Sequence, residues 1–244
     1  TAECSTGPIT FWTPGGRSVY NALLIKASKR LSRRFQFIVS DAIQSQHGVN
    51  GVQNMDNWFS SWGPQAGRNT LTISGIAQLP WGFELGLISS TSSVGPVMPS
   101  ISNVDLTGSG ITNTPIPGVA YNCFNLGCGK GDLAKAVANW NSTYAGKPDA
   151  RGVTIPSLTL PAHYSLGTSF NSQDLRLTKN FTFRERYKFS VFGEMFNVLN
   201  IANLQGFNFN LASGSAFGQP TSRAGQVFGS GGPRAVQIGG RFNF

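Results

Sequence analysis

Acid–base catalysis and metal binding both need reactive side chains at spacings that let them converge. The 244-residue chain has ten acidic residues, two histidines and three cysteines with which to do so. Asp41, Asp56, Glu84, Asp105, Asp174 and Glu194 form no carboxylate pair at an informative separation. His47 and His163 lie in loop-like sequence, without a serine or cysteine nucleophile motif beside them. The three cysteines and two distant histidines repeat no metal-ligand spacing. Glycines at 7, 15, 16 and in Gly229-Ser230-Gly231-Gly232 lack the Lys-Ser/Thr and strand-to-helix context of a phosphate cradle. These patterns predict neither enzyme chemistry nor a bound cofactor or metal.

The cysteines suggest a structural role instead. Cys123 and Cys128 bracket Phe-Asn-Leu-Gly, which suits a small loop disulfide in an oxidising compartment. Cys4 is left over, and the chain starts in loop-like sequence without a methionine. The expectation is a C-terminal piece (1–244) of a larger protein, with a partner for Cys4 upstream.

Composition restricts the class. Charged residues make up 12% of the chain against 40% hydrophobic, about half the usual charged share for a soluble domain. A lipid-covered surface explains that balance better than a water-covered one. No run approaches the roughly 18 apolar residues of a membrane-spanning helix, so a membrane reading requires a closed β-barrel. The net charge of +9 would raise nucleic-acid binding, but the basic residues are scattered or in short turns and no recognition motif accompanies them. No nucleic-acid partner is expected.

Seven segments alternate apolar and polar residues with period two, the signature of strands with two different faces. One face of each carries, in order, Leu23 and Ile25; Phe35, Phe37 and Val39; Leu71, Ile73 and Ala77; Phe83, Leu85 and Leu87; Leu175, Leu177 and Phe181; Tyr187, Phe189 and Val191; and Val236, Ile238, Phe242 and Phe244. Each is about ten residues long, the length of a tilted transmembrane strand. Short turns near 31–34, at Pro80-Trp81-Gly82 and at Arg184-Glu185-Arg186 alternate with long connections near 46–68, 93–172 and 200–233. Outer-membrane barrels show this asymmetry, with short periplasmic turns and long extracellular loops. The predicted fold is all-β: an antiparallel up-and-down transmembrane barrel segment of about seven strands in the bacterial outer membrane.

The alternation also gives sides. Phe244 falls with the short turns, hence in the periplasm; Cys123 and Cys128 fall in the longest external loop, beside a helical patch over 132–140 with Asp132 as its N-cap. Aromatic residues beside the turns predict an interfacial girdle in contact with outer-membrane lipid. External aromatics (Trp58, Phe59, Trp62, Tyr121, Phe124, Trp140, Tyr144) are read as loop packing before ligand contacts. A symmetric turn at Arg184–Arg186 sets Arg176 opposite Glu194, predicting a lumen ion pair that serves the wall or meets a plug, not a substrate site. By the same symmetry Glu84 faces Gln78.

The closing sequence Gln237-Ile238-Gly239-Gly240-Arg241-Phe242-Asn243-Phe244 resembles the C-terminal signal of outer-membrane proteins. That resemblance implies recognition by the barrel-assembly machinery, with Gln237, Gly239, Phe242 and Phe244 in the signal positions. Asp174-Leu-Arg-Leu-Thr-Lys-Asn-Phe181 and Phe189-Ser-Val-Phe-Gly-Glu-Met-Phe-Asn-Val-Leu-Asn200 are similar to the end of TonB-dependent receptors. The likeness is greatest to the Oar-like group with a carboxypeptidase-regulatory-like domain, to which Tyr20-Asn-Ala-Leu-Leu and Leu79-Pro-Trp-Gly82 also point. The family implies a plugged barrel of roughly 22 strands, of which these seven would be the last. It further implies an unknown extracellular ligand, and coupling to TonB through an N-terminal part that carries the TonB box and plug. A surface adhesin or structural barrel that binds partners through its long loops is the alternative.

Overall fold

The computed structural model describes residues 15–49, 51, 54, 57–183, 187–225 and 227–243. Seven long strands form an antiparallel meander: β1 (Ser18–Ser32), β2 (Phe35–Val49), β3 (Asn69–Leu79), β4 (Phe83–Ser92), β5 (Phe170–Phe183), β6 (Tyr187–Phe196) and β7 (Ala235–Asn243). Each pairs with its neighbours in sequence, and a short strand, Trp62–Pro64, adds to β2. Among the described residues β1 pairs only with β2 and β7 only with β6, so the sheet is open at both edges.

Register carries the alternation across the whole sheet. One row runs Phe35, Ala77, Leu85, Leu177, Gly193 and Ile238. The adjacent row, on the opposite face, runs Gln36, Ile76, Gly86, Arg176, Glu194 and Gln237. A slip of one residue in any strand would exchange its apolar and polar sets, so the pattern pins the pairing. The short-turn end is marked on the apolar face by stacked rings, Phe181 on Phe189 at 6.1 Å and Tyr187 on Phe242 at 6.1 Å. At the other end the same face turns polar, at Asn69, Thr91 and Asn171.

None of the apolar side chains of the seven strands is buried among the described residues; Leu177 is 46% exposed and Ile238 81%. A sheet of this size with a bare apolar face is insoluble in water and stable only when hydrocarbon or protein covers it. The buried core lies elsewhere, in the long connections. Residues 93–169 contain the paired segments Ser100–Ser102 and Asn113–Pro115 and the helix α1 (Lys130–Thr143). α1 buries Leu133, Ala136, Val137 and Trp140, one stripe at helical spacing. Around it Ile101, Val104, Ile116 and Phe124 close a core that Leu211 and Phe217, from the last loop, complete.

Three boundaries depart from the sequence reading. β2 continues to Val49 and β5 begins at Phe170, several residues beyond the alternating pattern. Above the apolar belt both strand faces are polar, so alternation no longer marks the strand. α1 starts earlier than expected: Gly129 is its N-cap, and Asp132 sits in the first turn, where its carboxylate accepts the Gly129 N–H at 2.9 Å. That bond satisfies an otherwise free donor at the helix start.

Candidate functional site

The polar face of the sheet is concave. It holds an open groove of about 540 Å³ floored by β1 to β6, in which Lys26, Gln36, Ser74, Asp174, Arg176 and Glu194 are interleaved with Ile38, Ile76 and Ile88. Arg176 and Glu194 stand directly opposite each other, as the symmetric turn requires, and Glu84 likewise faces Gln78.

The expected ion pair is not formed. Among the described residues the ion pair present is Arg151–Asp149, in the long loop. Glu194 instead accepts a hydrogen bond from Gln237 Nε2 at 2.6 Å, across the β6–β7 ladder. Arg176 lays its guanidinium 3.8 Å from the centre of the Phe192 ring, a cation–π contact. The correction has a simple cause. β6 has two neighbours, and the residue that reaches Glu194 comes from β7, which a reading of the β5–β6 hairpin alone leaves out.

The terminal strand is therefore built into the inner wall. Gln237 and Gly239 face inward, and Phe242 faces outward, paired with Phe189. Gly239 lies opposite Phe192 and leaves room for its ring. Phe244 is outside the described residues, as are Cys4 and the turn residues Arg184, Glu185 and Arg186.

A polar cluster missed by the sequence reading joins the sheet to the last loop. Asp174 is buried; its Oδ1 accepts from Ser172 Oγ at 3.0 Å and from Asn197 N–H at 2.8 Å, and its Oδ2 accepts from Ser230 Oγ. Asn197, fully buried, donates through Nδ2 to the Ile201 carbonyl at 2.9 Å and the Gly232 carbonyl at 2.7 Å. Asn203 adds bonds to the Asn171 and Gly231 carbonyls at 2.8 and 3.0 Å. Asn197 and Asn200 adopt φ of 47° and 54°, a left-handed conformation that asparagine tolerates. Asparagine at 197 and 200, just past the end of an alternating strand, was the available signal.

The long loop forms a cap with its own fastenings. Cys123 and Cys128 are joined by a disulfide with an S–S distance of 2.00 Å. The Cys123 carbonyl accepts three N–H groups inside that turn, from Leu126, Gly127 and Cys128. Arg68 reaches the same turn, donating to the Leu126 carbonyl at 2.5 Å. Asp149 accepts from the N–H groups of Asp105, Arg151 and Val153 and from the Arg151 guanidinium. Burial pushes the Asp149 carboxyl up, but these donors outweigh it and hold it well below the usual range. Asp105 behaves likewise: burial raises it, and the N–H groups of Gly110, Gly108 and Thr107 bring it below its ordinary value. Of the external aromatics, Phe124 and Trp140 are core residues, whereas Phe59 is 55% exposed.

Among the described residues no group of histidines, cysteines and carboxylates is placed to hold a metal. The arrangement is a wall: an apolar outer face, an inner groove of mixed polar and apolar lining, and a folded cap at the loop end. A family model described as an outer membrane beta barrel domain matches residues 3–237. No curated protein and no solved structure matches the chain.

Proposed function

Since the chain belongs to the family of outer membrane beta barrel domains and so resides in the bacterial outer membrane, we propose that it is the C-terminal wall of a TonB-dependent transporter for an unidentified substrate. The observation that supports this best is the open, concave inner face, where charged and polar side chains are interleaved with isoleucines. Eight strands already close into a barrel whose interior side chains fill it. Seven strands that curve without meeting, around a groove of about 540 Å³, fit an arc of a wider ring with a usable lumen. The likeness of 174–181 and 189–200 to the end of TonB-dependent receptors, Oar-like ones in particular, is the second support.

In this reading the short turns face the periplasm and the cap faces outside, where ligand would arrive. Arg176, Phe192, Glu194 and Gln237 line the passage or meet a plug, and the role is non-catalytic. Gln237, Gly239, Phe242 and Phe244 serve the barrel-assembly machinery, which would meet β7 along its free edge. Energy coupling would come through TonB contacts outside this chain.

The folded cap favours one alternative, an adhesin whose external loops bind a partner without transport. Passing the detergent-solubilised protein, expressed from its complete gene, over the immobilised periplasmic domain of TonB separates the two. Retention is expected. Failure to bind TonB, with cell attachment that is lost on deleting 93–169, would favour the adhesin.

A further inference from the structure

We propose that the inner groove is a binding site for a small amphipathic anion, an organic carboxylate with an apolar body. This names a substrate class for the transporter reading and rests on that reading for its place in the passage.

The interior of a wet barrel favours polar side chains. Two neighbouring rows of this wall depart from that rule. One runs Ser28, Ile38, Ser74, Ile88 and Asp174, and the next runs Gln36, Ile76, Gly86, Arg176 and Glu194. Ile38, Ile76 and Ile88 thereby converge on the inner face from three different strands, and all three line the groove. Ile38 is 46% exposed and Ile88 49%. Gly86 lies between Ile76 and Arg176, and without a side chain it leaves a slot between them. An exposed apolar cluster inside a polar rim is the usual make-up of a small-molecule site.

Charge around the cluster is one-sided. Lys26 and Arg30 border the groove from β1, and Arg176 borders it from β5. Among the described residues neither Lys26 nor Arg30 has a hydrogen-bond or ion-pair partner. The carboxylates of the groove are already engaged. Asp174 is buried and accepts from Ser172, Asn197 and Ser230, and Glu194 accepts from Gln237. Lys29, also at the border, is taken up by the Phe35 ring and the Ser32 carbonyl. Free cations beside an apolar floor complement an anion whose body is apolar. Its carboxylate meets Lys26 and Arg30 in charge-assisted hydrogen bonds, and its body covers the isoleucines. A purely ionic solute would leave the isoleucines wet, and a neutral apolar one would leave the cations unmatched.

The test uses the complete protein in lipid nanodiscs and three probes, dodecanoate, dodecanol and dodecyltrimethylammonium, each carrying a mid-chain diazirine. Adducts formed on illumination are mapped residue by residue by mass spectrometry. All three probes should label lipid-facing residues such as Phe37 and Leu87, and that labelling reports an intact wall. Dodecanoate alone should label Ile38, Ile76 and Ile88 strongly. Lys26→Gln/Arg30→Gln should cut this inner labelling roughly tenfold and leave the outer labelling as it was. Equal inner labelling by dodecanol, or an inner signal unchanged in the variant, would overturn the proposal. So would an inner face that dodecanoate never reaches, as when an N-terminal domain fills the groove. If TonB still retains the protein under any of these outcomes, the transporter reading stands and this site alone is lost.

Discussion

Gly239 faces the ring of Phe192 so closely that a Cβ built on it would lie 2.4 Å from Phe192 Cζ. The glycine of the terminal strand is thus a packing requirement of the inner wall, whatever machinery also reads that strand. Phe192 covers the glycine on one side and receives the Arg176 guanidinium on the other. Replacing Gly239 with alanine should destabilise the wall by about 1–3 kcal/mol, the usual cost of overpacking. Urea unfolding in lipid vesicles measures it. Adding Phe192→Ala should restore most of the loss, and an unrelieved double variant would mean that the glycine acts through something other than this ring.

Asn197 holds the last loop through its side chain and its left-handed backbone. Asn197→Ala should expose 197–234 to protease, with a loss of about 2 kcal/mol or more from two broken buried hydrogen bonds and the backbone penalty. Asn197→Gly keeps the backbone freedom and should fall between the alanine variant and the native chain. Equal protease resistance in all three would remove the lock from the account.

The disulfide is predicted to act locally. Removing it with Cys123→Ala/Cys128→Ala should cost the cap roughly 2 kcal/mol by loop-closure entropy, and hydrogen exchange in 93–169 should rise. Exchange in the seven strands should stay unchanged, because no strand residue belongs to the buried core that the cap forms.

Acid should weaken the cap before the wall. Asp149 and Asp105 both have carboxyls held below their ordinary values in the folded cap. The stabilisation from a depressed carboxyl is complete above the unfolded value of about 3.9 and is lost as pH falls through the lower folded value. The protection factors of 101–158, measured against the intrinsic exchange rate at each pH, should therefore be flat from neutral pH down to about 4 and fall below it. Asp149→Asn should already be loosened at neutral pH and should show a smaller further change.

Most of the wall was legible in the sequence, because one bilayer-facing side forces strict alternation and the short turns fix the register. Arg176 opposite Glu194 followed from that symmetry alone. The partners chosen by those side chains did not, since Gln237 and Phe192 enter from a ladder that the β5–β6 turn does not describe. The ends of β2 and β5 were invisible for a physical reason: outside the apolar belt both faces meet polar surroundings and the period-two signal vanishes. The cap core was hidden because it joins residues far apart in the chain, such as Ile101 with Leu211 and Phe217, through contacts that no local pattern encodes. Arg33, Arg34 and Trp81 were visible as turn residues, but only their backbone angles reveal that each is held where glycine or asparagine would sit more easily.

The central claim is that one face of this sheet meets lipid and the other does not, and β7 tests it residue by residue. Single cysteines placed from 236 to 243 in the complete protein, labelled with an environment-sensitive fluorophore and reconstituted with lipids that carry a chain-borne quencher, give the measurement. The account predicts strong quenching at Val236, Ile238 and Phe242 and weak quenching at Gln237, Arg241 and Asn243. Uniform quenching along the strand, or the opposite phase, would contradict it.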